Sequence, residues 1–181
     1  MIQMIDPNDL HIVNYCHPSC TPLQNILWLP KDEAFRLANQ LARANAGATA
    51  FWRFADFENY YPRRMETDRL LHQAFTRLGG KPEVEHPLSF VLQGSDYLHG
   101  WFDHGTITTL PLSSIPDKVF SFTLGDSMSA PRPDGTIHVF TKEMLLQKVA
   151  AYQGTLDEFM QEIANTCHYI EVQVWRKLST E

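Results

Sequence analysis

Apolar residues recur every three or four positions in two stretches of the first half of the chain, a spacing typical of helices. The first stretch predicts a helix over residues 31–46, with acidic residues in its first turn and Gly47 after its end. The second predicts a helix over residues 62–78. Pro62 suits the first turn of that helix, and a pair of glycines follows its last turn.

Two further helices are predicted in the second half of the chain. Thr141 is suited to cap a helix that runs to about Tyr152, because a threonine oxygen can accept a hydrogen bond from the first turn. Thr155 and Glu158 have the spacing of a capping box, so another helix should begin there and run to about Asn165.

The remaining apolar segments are short and rich in β-branched and aromatic residues, which favours strands. The segments expected to form the sheet are 49–54, 87–93, 105–112, 118–124 and 168–177. Shorter strands are predicted at 11–15 and 136–140. In the last long segment Ile170 and Val172 alternate with Glu171 and Gln173, a period of two that gives the strand one apolar face.

These elements predict one α+β domain over residues 1–181. We expect an antiparallel or mixed sheet of about five strands, with helices packed mainly on one face. Residues 1–30 are expected to be irregular, because prolines interrupt any long helix there: Pro7, Pro18, Pro22 and Pro30. The length suits one domain with one hydrophobic core.

The charge and hydropathy of the chain limit the partners and the cellular location that we expect for the protein. The formal net charge is −6, which opposes the phosphate field of nucleic acids, so no general nucleic-acid binding is expected. No apolar run approaches the ~20 residues of a membrane-spanning helix, and the first residues lack the pattern of a secretory signal. The odd number of cysteines favours reduced thiols. We therefore expect a soluble cytoplasmic protein without a membrane partner.

Residues 51–61 are hard to explain as ordinary core. They hold six aromatic and three charged residues, and Pro62, Arg63 and Arg64 follow directly. No helical or strand period separates the rings from the charges, and rigid rings with polar handles suit a ligand wall or a partner surface. The residues expected to form that wall are Trp52, Arg53, Tyr60, Tyr61, Arg63 and Arg64.

This stretch supports two functional hypotheses. In the first, arginines hold the carboxylate or phosphate of a small polar or anionic ligand while a ring stacks on it, and a reaction on that ligand is left open. In the second, the same surface serves a protein-interaction or regulatory module. A third interpretation, in which the aromatics complete a core, predicts buried rings with the charges facing water.

Four residues are candidates for acid–base chemistry: His86, His104, Asp126 and Glu171. The segment 99–104 places imidazoles and a carboxylate in a short predicted loop, and imidazole suits proton transfer at neutral pH. A solvated loop with polar turn residues is the simpler interpretation. Glu171 is a cleft carboxylate with a raised pKa if both faces of its strand are covered. A solvent-exposed face, which we favour, makes it an ordinary surface acid.

Two short patterns resemble known families. Gly125-Asp126-Ser127 follows a predicted strand and resembles the nucleophile block of a lipase and esterase family, which would imply a nucleophilic Ser127. No Asp-x-x-His follows it, so we interpret the tripeptide as a turn. The order of residues, with Glu171 on a late strand after His, Tyr and Arg residues, resembles that of the ADP-ribosyltransferases. The His-Gly-Thr and Ser-Thr-Ser blocks of that family are absent from this sequence.

The sequence predicts no metal site and no cofactor. Cys16, Cys20 and Cys167 have histidines beside or between them, and thiols and imidazoles are ligands that zinc takes. However, the Cys-x-x-x-Cys spacing does not match a zinc knuckle, and buried small side chains are the simpler interpretation. Glycine-rich phosphate loops are missing too, which argues against a standard nucleotide cofactor.

Overall fold

A computed structural model describes residue 6 and residues 9–179, and its centre is a five-stranded sheet with antiparallel neighbours throughout. The strands are β1 (His11–Cys16), β2 (Leu88–Leu92), β3 (Thr106–Pro111), β4 (Phe120–Leu124) and β5 (Ile170–Val174). Their order across the sheet is β3-β1-β2-β5-β4. The expected α+β class with an antiparallel sheet is confirmed.

The described residues also form six helices. They are α1 (Lys31–Ala44), α2 (Trp52–Ala55), α3 (Phe57–Arg77), α4 (Asp96–Trp101), α5 (Lys142–Ala151) and α6 (Leu156–Cys167). The helices predicted after Thr141 and Thr155 are confirmed. Each threonine side chain accepts a hydrogen bond from a backbone N–H group in the first turn of its helix. Thr155 and Glu158 form the complete capping box.

The two faces of the sheet differ in chemistry. On one face, alternate residues such as Phe90, Phe122 and Val172 form the main hydrophobic core with α5 and α6. The opposite face carries polar residues on β4 and β5 and lies beneath α3. Near the end of β5, Trp175 packs with Leu71 and Phe75 of α3. This polar layer between α3 and the sheet holds the candidate site.

The strand predicted at residues 49–54 is wrong. The chain there forms a 3-10 turn, Thr49–Phe51, followed by α2. Phe51, Phe54 and Phe57 are spaced three apart, and all three are buried against α1. A strand would have placed successive members of this set on opposite faces, so the helical period prevails. β1, one of the shorter predicted strands, joins the sheet instead.

The helix predicted from Pro62 begins five residues earlier, at Phe57. The carbonyl of Asp56 accepts the N–H groups of Asn59 and Tyr60, which closes a first turn before the proline. Tyr61 packs on Phe57 and on Phe35 of α1. Burial of these rings therefore stabilises the first turns of α3, which begin before Pro62 and include it. This burial outweighs the loss of one helical hydrogen bond at the proline.

Two other local predictions need correction. Residues 136–140 form no strand, because only Phe140 pairs with the sheet, through a single bridge to Phe122. Part of the predicted loop 99–104 is helical, since Ser95 caps α4 by accepting the N–H of Leu98. In the segment 1–30, the described part holds β1 and a 3-10 turn within otherwise irregular chain, and Pro7 lies outside the described residues.

Candidate functional site

A chain of buried polar side chains crosses β4 and β5. Gln173 donates to Oε1 of Glu171 at 3.0 Å and to Oγ1 of Thr123 at 3.0 Å. Ser121 donates to Gln173 at 2.9 Å and accepts the indole N–H of Trp175 at 2.9 Å. Each buried polar group thereby gains a partner, which removes most of the cost of its desolvation.

Glu171 is not the surface acid that we favoured from the sequence. It is 5% exposed, because β5 lies between β2 and β4 while α3 covers its polar face. Burial raises the pKa of Glu171, and the charge of Asp126 raises it further. The Arg64 guanidinium and the hydrogen bonds from Gln173 and Ser127 act in the opposite direction, without reversing the shift.

Arg64 links α3 to this polar layer. Its Nε donates to Oδ1 of Asp68 at 2.8 Å, and its terminal nitrogen donates to Oγ of Ser127 at 3.1 Å. Nδ1 of His86 donates to the second oxygen of Asp68 at 2.8 Å. Burial alone would lower the pKa of Arg64, but Asp68, Tyr60 and Glu171 together raise it, so the guanidinium stays charged.

The segment after β4 connects this layer to solvent. Gly125 adopts a positive φ of 79°, and its N–H donates to the carbonyl of Tyr169 at 2.7 Å. Asp126 is exposed and accepts the N–H of Met128. Ser127 is fully buried, and its backbone N–H donates to Glu171. The expected turn is confirmed, and it presents the carboxylate of Asp126 rather than the hydroxyl of Ser127.

Arg53 lies inside a box of four aromatic rings. The centre of its guanidinium is 5.0 Å from the ring centroid of Phe54, 5.4 Å from Trp101, and 5.8 Å from Tyr60 and Phe102. No hydrogen bond or ion pair joins its side chain to another described residue, and its Nε is buried. We call this group the Arg53 box.

Burial and several nearby charges shift the pKa of the Tyr169 phenol. Burial raises its pKa, and the charges of Asp126 and Glu171 raise it further. Arg53 lowers the same pKa, which places the guanidinium within electrostatic range of the phenol. Neither Tyr169 nor Tyr60 uses its hydroxyl in a hydrogen bond with another described residue. Both hydroxyl groups are therefore without a hydrogen-bond partner among the described residues, and Tyr60 lies against Arg53.

The chain matches no family model, and no curated protein or solved structure is significantly similar to it. The geometry of its own residues therefore carries the functional argument. Across residues 9–179, no group of three or more His, Cys, Asp and Glu side chains is arranged to hold a metal ion. None of the helices in that range is long and apolar enough to span a membrane.

The six residues predicted to form one ligand wall lie in four different environments. Arg53 and Tyr60 meet in the Arg53 box, and Arg64 points into the polar layer. Tyr61 packs within the aromatic cluster on α1. Trp52, which is 66% exposed, and Arg63 face solvent.

The two histidine candidates, His86 and His104, lie in different parts of the structure. His86 belongs to the polar layer through Asp68, whereas His104 is exposed and contacts the ring of His99. A third histidine, His17, is buried and donates from Nε2 to Asp103 at 3.1 Å, since its Nδ1 accepts the N–H of Ser19. Two open surface depressions, bordered by Arg77 and Arg132 and by Arg36 and Arg43, lie outside these groups.

Sequence reasoning missed several members of the site. Asp68 lies four residues after Arg64 on one helix, a spacing that predicts an ion pair and could have revealed it. Tyr169 was not among the candidate residues, although its period of two with Glu171 places it on the polar face of β5. Trp101 is the last residue of α4 and Phe102 follows it, and no sequence pattern links either residue to Arg53.

Proposed function

We propose that the protein binds a small anionic ligand at Arg53. The observation that supports this is a guanidinium surrounded by four rings, with a buried Nε that has no acceptor among the described residues. An unpaired buried donor costs about 1–3 kcal/mol, and a carboxylate or phosphate oxygen would remove that cost. Such oxygens also match the planar donor pattern of arginine.

Arg53 is better suited to this role than Arg64. The guanidinium of Arg64 already bonds Asp68 and Ser127, so its charge is neutralised inside the protein. The rings of the Arg53 box hold their cation without neutralising it, and they exclude water from one side of it. The free hydroxyls of Tyr60 and Tyr169 can donate further hydrogen bonds to a ligand. The proposal is one of binding and assigns no reaction.

Thermal unfolding in the presence of small carboxylates and phosphates tests this proposal. Saturation at about 100 times the dissociation constant stabilises the folded state by about 2.7 kcal/mol, which gives a measurable rise in melting temperature. The Arg53→Met variant keeps the length of the side chain and should abolish the rise. Arg63→Met is the matched control, since Arg63 is exposed and should leave binding unchanged.

Two results would overturn the proposal. One is that no anion in the series raises the melting temperature of the native protein. The other is that Arg53→Met folds with normal stability and responds to every anion as the native protein does. Should Arg53→Met fail to fold, the Arg53→Lys variant replaces it, because lysine keeps the charge but lacks the planar donor pattern.

A protein-interaction module is the second candidate, and the exposed indole of Trp52 favours it. Exposed tryptophans are common anchors of protein interfaces, and Arg63 lies on the same segment facing solvent. Under this alternative, Trp52→Ala would abolish binding to a partner identified by crosslinking at that position. Under the anion-binding proposal, the same variant retains the response to ligand.

A further inference from the structure

Arg53 and Asp126 carry opposite charges and do not pair with each other. Neither side chain forms an ion pair with any described residue. The only described hydrogen bond of the Asp126 carboxylate is to the backbone N–H of Met128 at 3.0 Å. Both the Arg53 guanidinium and the Asp126 carboxylate can therefore still bind a charged group of a ligand.

Backbone geometry holds Asp126 next to Tyr169. The hydrogen bond from Gly125 to the carbonyl of Tyr169 ties the two segments together, and Gly125 also forms a bridge with Ile170. A side chain on Gly125 would meet Cys167 at 3.2 Å and would occupy a backbone conformation that favours glycine. The position of Asp126 beside the start of β5 is thus fixed by the fold.

Arg53 is connected to the same region through α3. Tyr169 and Glu171 alternate onto the face of β5 that α3 covers. Tyr60, near the start of α3, lies against the guanidinium of Arg53. The opposing effects of Arg53 and Asp126 on the pKa of Tyr169 agree with this arrangement. Arg64, one turn after Tyr60 on α3, donates to Oγ of Ser127, the residue after Asp126, so the Arg53 box and Asp126 lie at the same end of the polar layer.

We infer that the ligand of the Arg53 box is a small zwitterion, with a carboxylate bound by Arg53 and an ammonium group bound by Asp126. This inference rests on the proposed function and narrows it. A multiply charged anion such as phosphate would be repelled by Asp126, whereas an ammonium group would be attracted. Four ring walls additionally favour an apolar or aromatic body between or beside the two charged groups.

Calorimetric titration with two matched sets of compounds tests the inference. The first set is L-phenylalanine, hydrocinnamate and phenethylamine, and the second is δ-aminovalerate, valerate and pentylamine. In each set the first compound carries both charges and the others carry one. The sets differ in the distance between the two charges.

At least one zwitterion should bind about tenfold or more tightly than both of its singly charged analogues, as expected for the loss of one charged contact. Asp126→Asn should remove most of that advantage and leave binding of the singly charged acid unchanged. Asparagine can still accept the N–H of Met128, so the turn is preserved. Asp157→Asn is the matched control, because Asp157 is an exposed acid at the start of α6.

The possible failures are distinguishable. If the acids bind as tightly as the zwitterions and Asp126→Asn changes nothing, the inference is wrong while anion binding at Arg53 stands. If Asp126→Asn weakens acids and zwitterions equally, Asp126 acts on the fold of the site and the inference is also wrong. If no compound of either set binds, the inference is overturned, and the carboxylate and phosphate series with Arg53→Met decides the proposed function separately.

Discussion

The backbone N–H of Ser127 donates a 3.1 Å hydrogen bond to Oε2 of Glu171, which joins the segment after β4 to the centre of β5. Because Asp126 precedes Ser127 directly, the same bond holds the exposed carboxylate in place. A buried acid on a central strand thus organises a surface group. Its protonation is expected to influence both the stability of the fold and the position of Asp126.

We expect the native protein to lose stability as the pH rises above the ordinary carboxyl pKa. The pKa of Glu171 is raised from its ordinary value of 4.5, mainly by burial. The folded state then binds more protons than the unfolded state, so this contribution is complete below that value and is lost as the pH passes through the raised pKa. Urea unfolding across this range measures the slope.

The Glu171→Gln variant should show a smaller slope over the same range, because glutamine does not titrate. The slope is compared rather than the stability at one pH, because the substitution also breaks a hydrogen bond. The new amide nitrogen would face a donor, either the N–H of Ser127 or the side chain of Gln173. Glu143→Gln, which changes an exposed acid in the first turn of α5, serves as the control and should keep the native slope. Equal slopes in the native protein and Glu171→Gln would contradict the buried-acid account.

Removal of the Asp68 carboxylate should destabilise the protein by about 3–5 kcal/mol, because it leaves the charge of Arg64 buried without its partner. Asp68→Leu combined with Arg64→Met should cost less than the sum of the two single changes. Chemical unfolding of the four proteins completes the cycle.

The ion pair between Glu66 and Arg69 offers a control on the same helix. Both side chains are about half exposed, so neutralising either one should change stability little. A similar loss at both pairs would show that helix α3 is sensitive to any change of charge, and the special role of Asp68 would be rejected.

Phe57→Ala should destabilise the fold by about 3–5 kcal/mol, since Phe57 is buried among Phe35, Phe54 and Tyr61 and its loss leaves a cavity. Trp52→Ala should stay within about 0.5 kcal/mol of the native protein, because the indole faces solvent. Thermal or urea unfolding measures both. Comparable effects of the two changes would be inconsistent with the environments that the structure gives these rings.

Cys16 should react with thiol reagents at neutral pH no faster than the protein opens. Burial raises its pKa to about 11, and Cys20 adds to the shift, so the reactive thiolate is scarce and covered. Cys20, which is half-buried, should be labelled earlier. Mass spectrometry of partly labelled protein gives the order, and rapid labelling of Cys16 in the folded protein would refute the expectation.

The fold was largely predictable because its elements follow local periods. The capped helices at Thr141 and Thr155 and the alternation around Glu171 depend on residues close in sequence. Residues 49–54 misled the prediction since a short apolar run fits a strand as well as a helical turn. Only the burial of Phe51 and Phe54 against α1 distinguishes the two.

The candidate site was predictable only in part. Arg53 and Tyr60 came from one dense stretch, and Glu171 was recognised as a carboxylate whose role depends on the cover of its strand. Glu171 is buried because α3 packs on its face of the sheet and because β5 lies between β2 and β4. The residues close to 171 in sequence indicate neither arrangement. Trp101 and Phe102 reach Arg53 through tertiary packing, which a single sequence does not reveal.

The position of β5 has a consequence for synthesis on the ribosome. Residues 170–174 form the last of the five described strands along the chain, yet they lie between β2 and β4. Until β5 is synthesised, these two strands lack the partner on their facing edges, and the layer around Glu171 cannot form. Between the synthesis of β4 and that of β5, the nascent chain therefore holds two unpaired edges, a state that is prone to aggregation and that chaperones recognise.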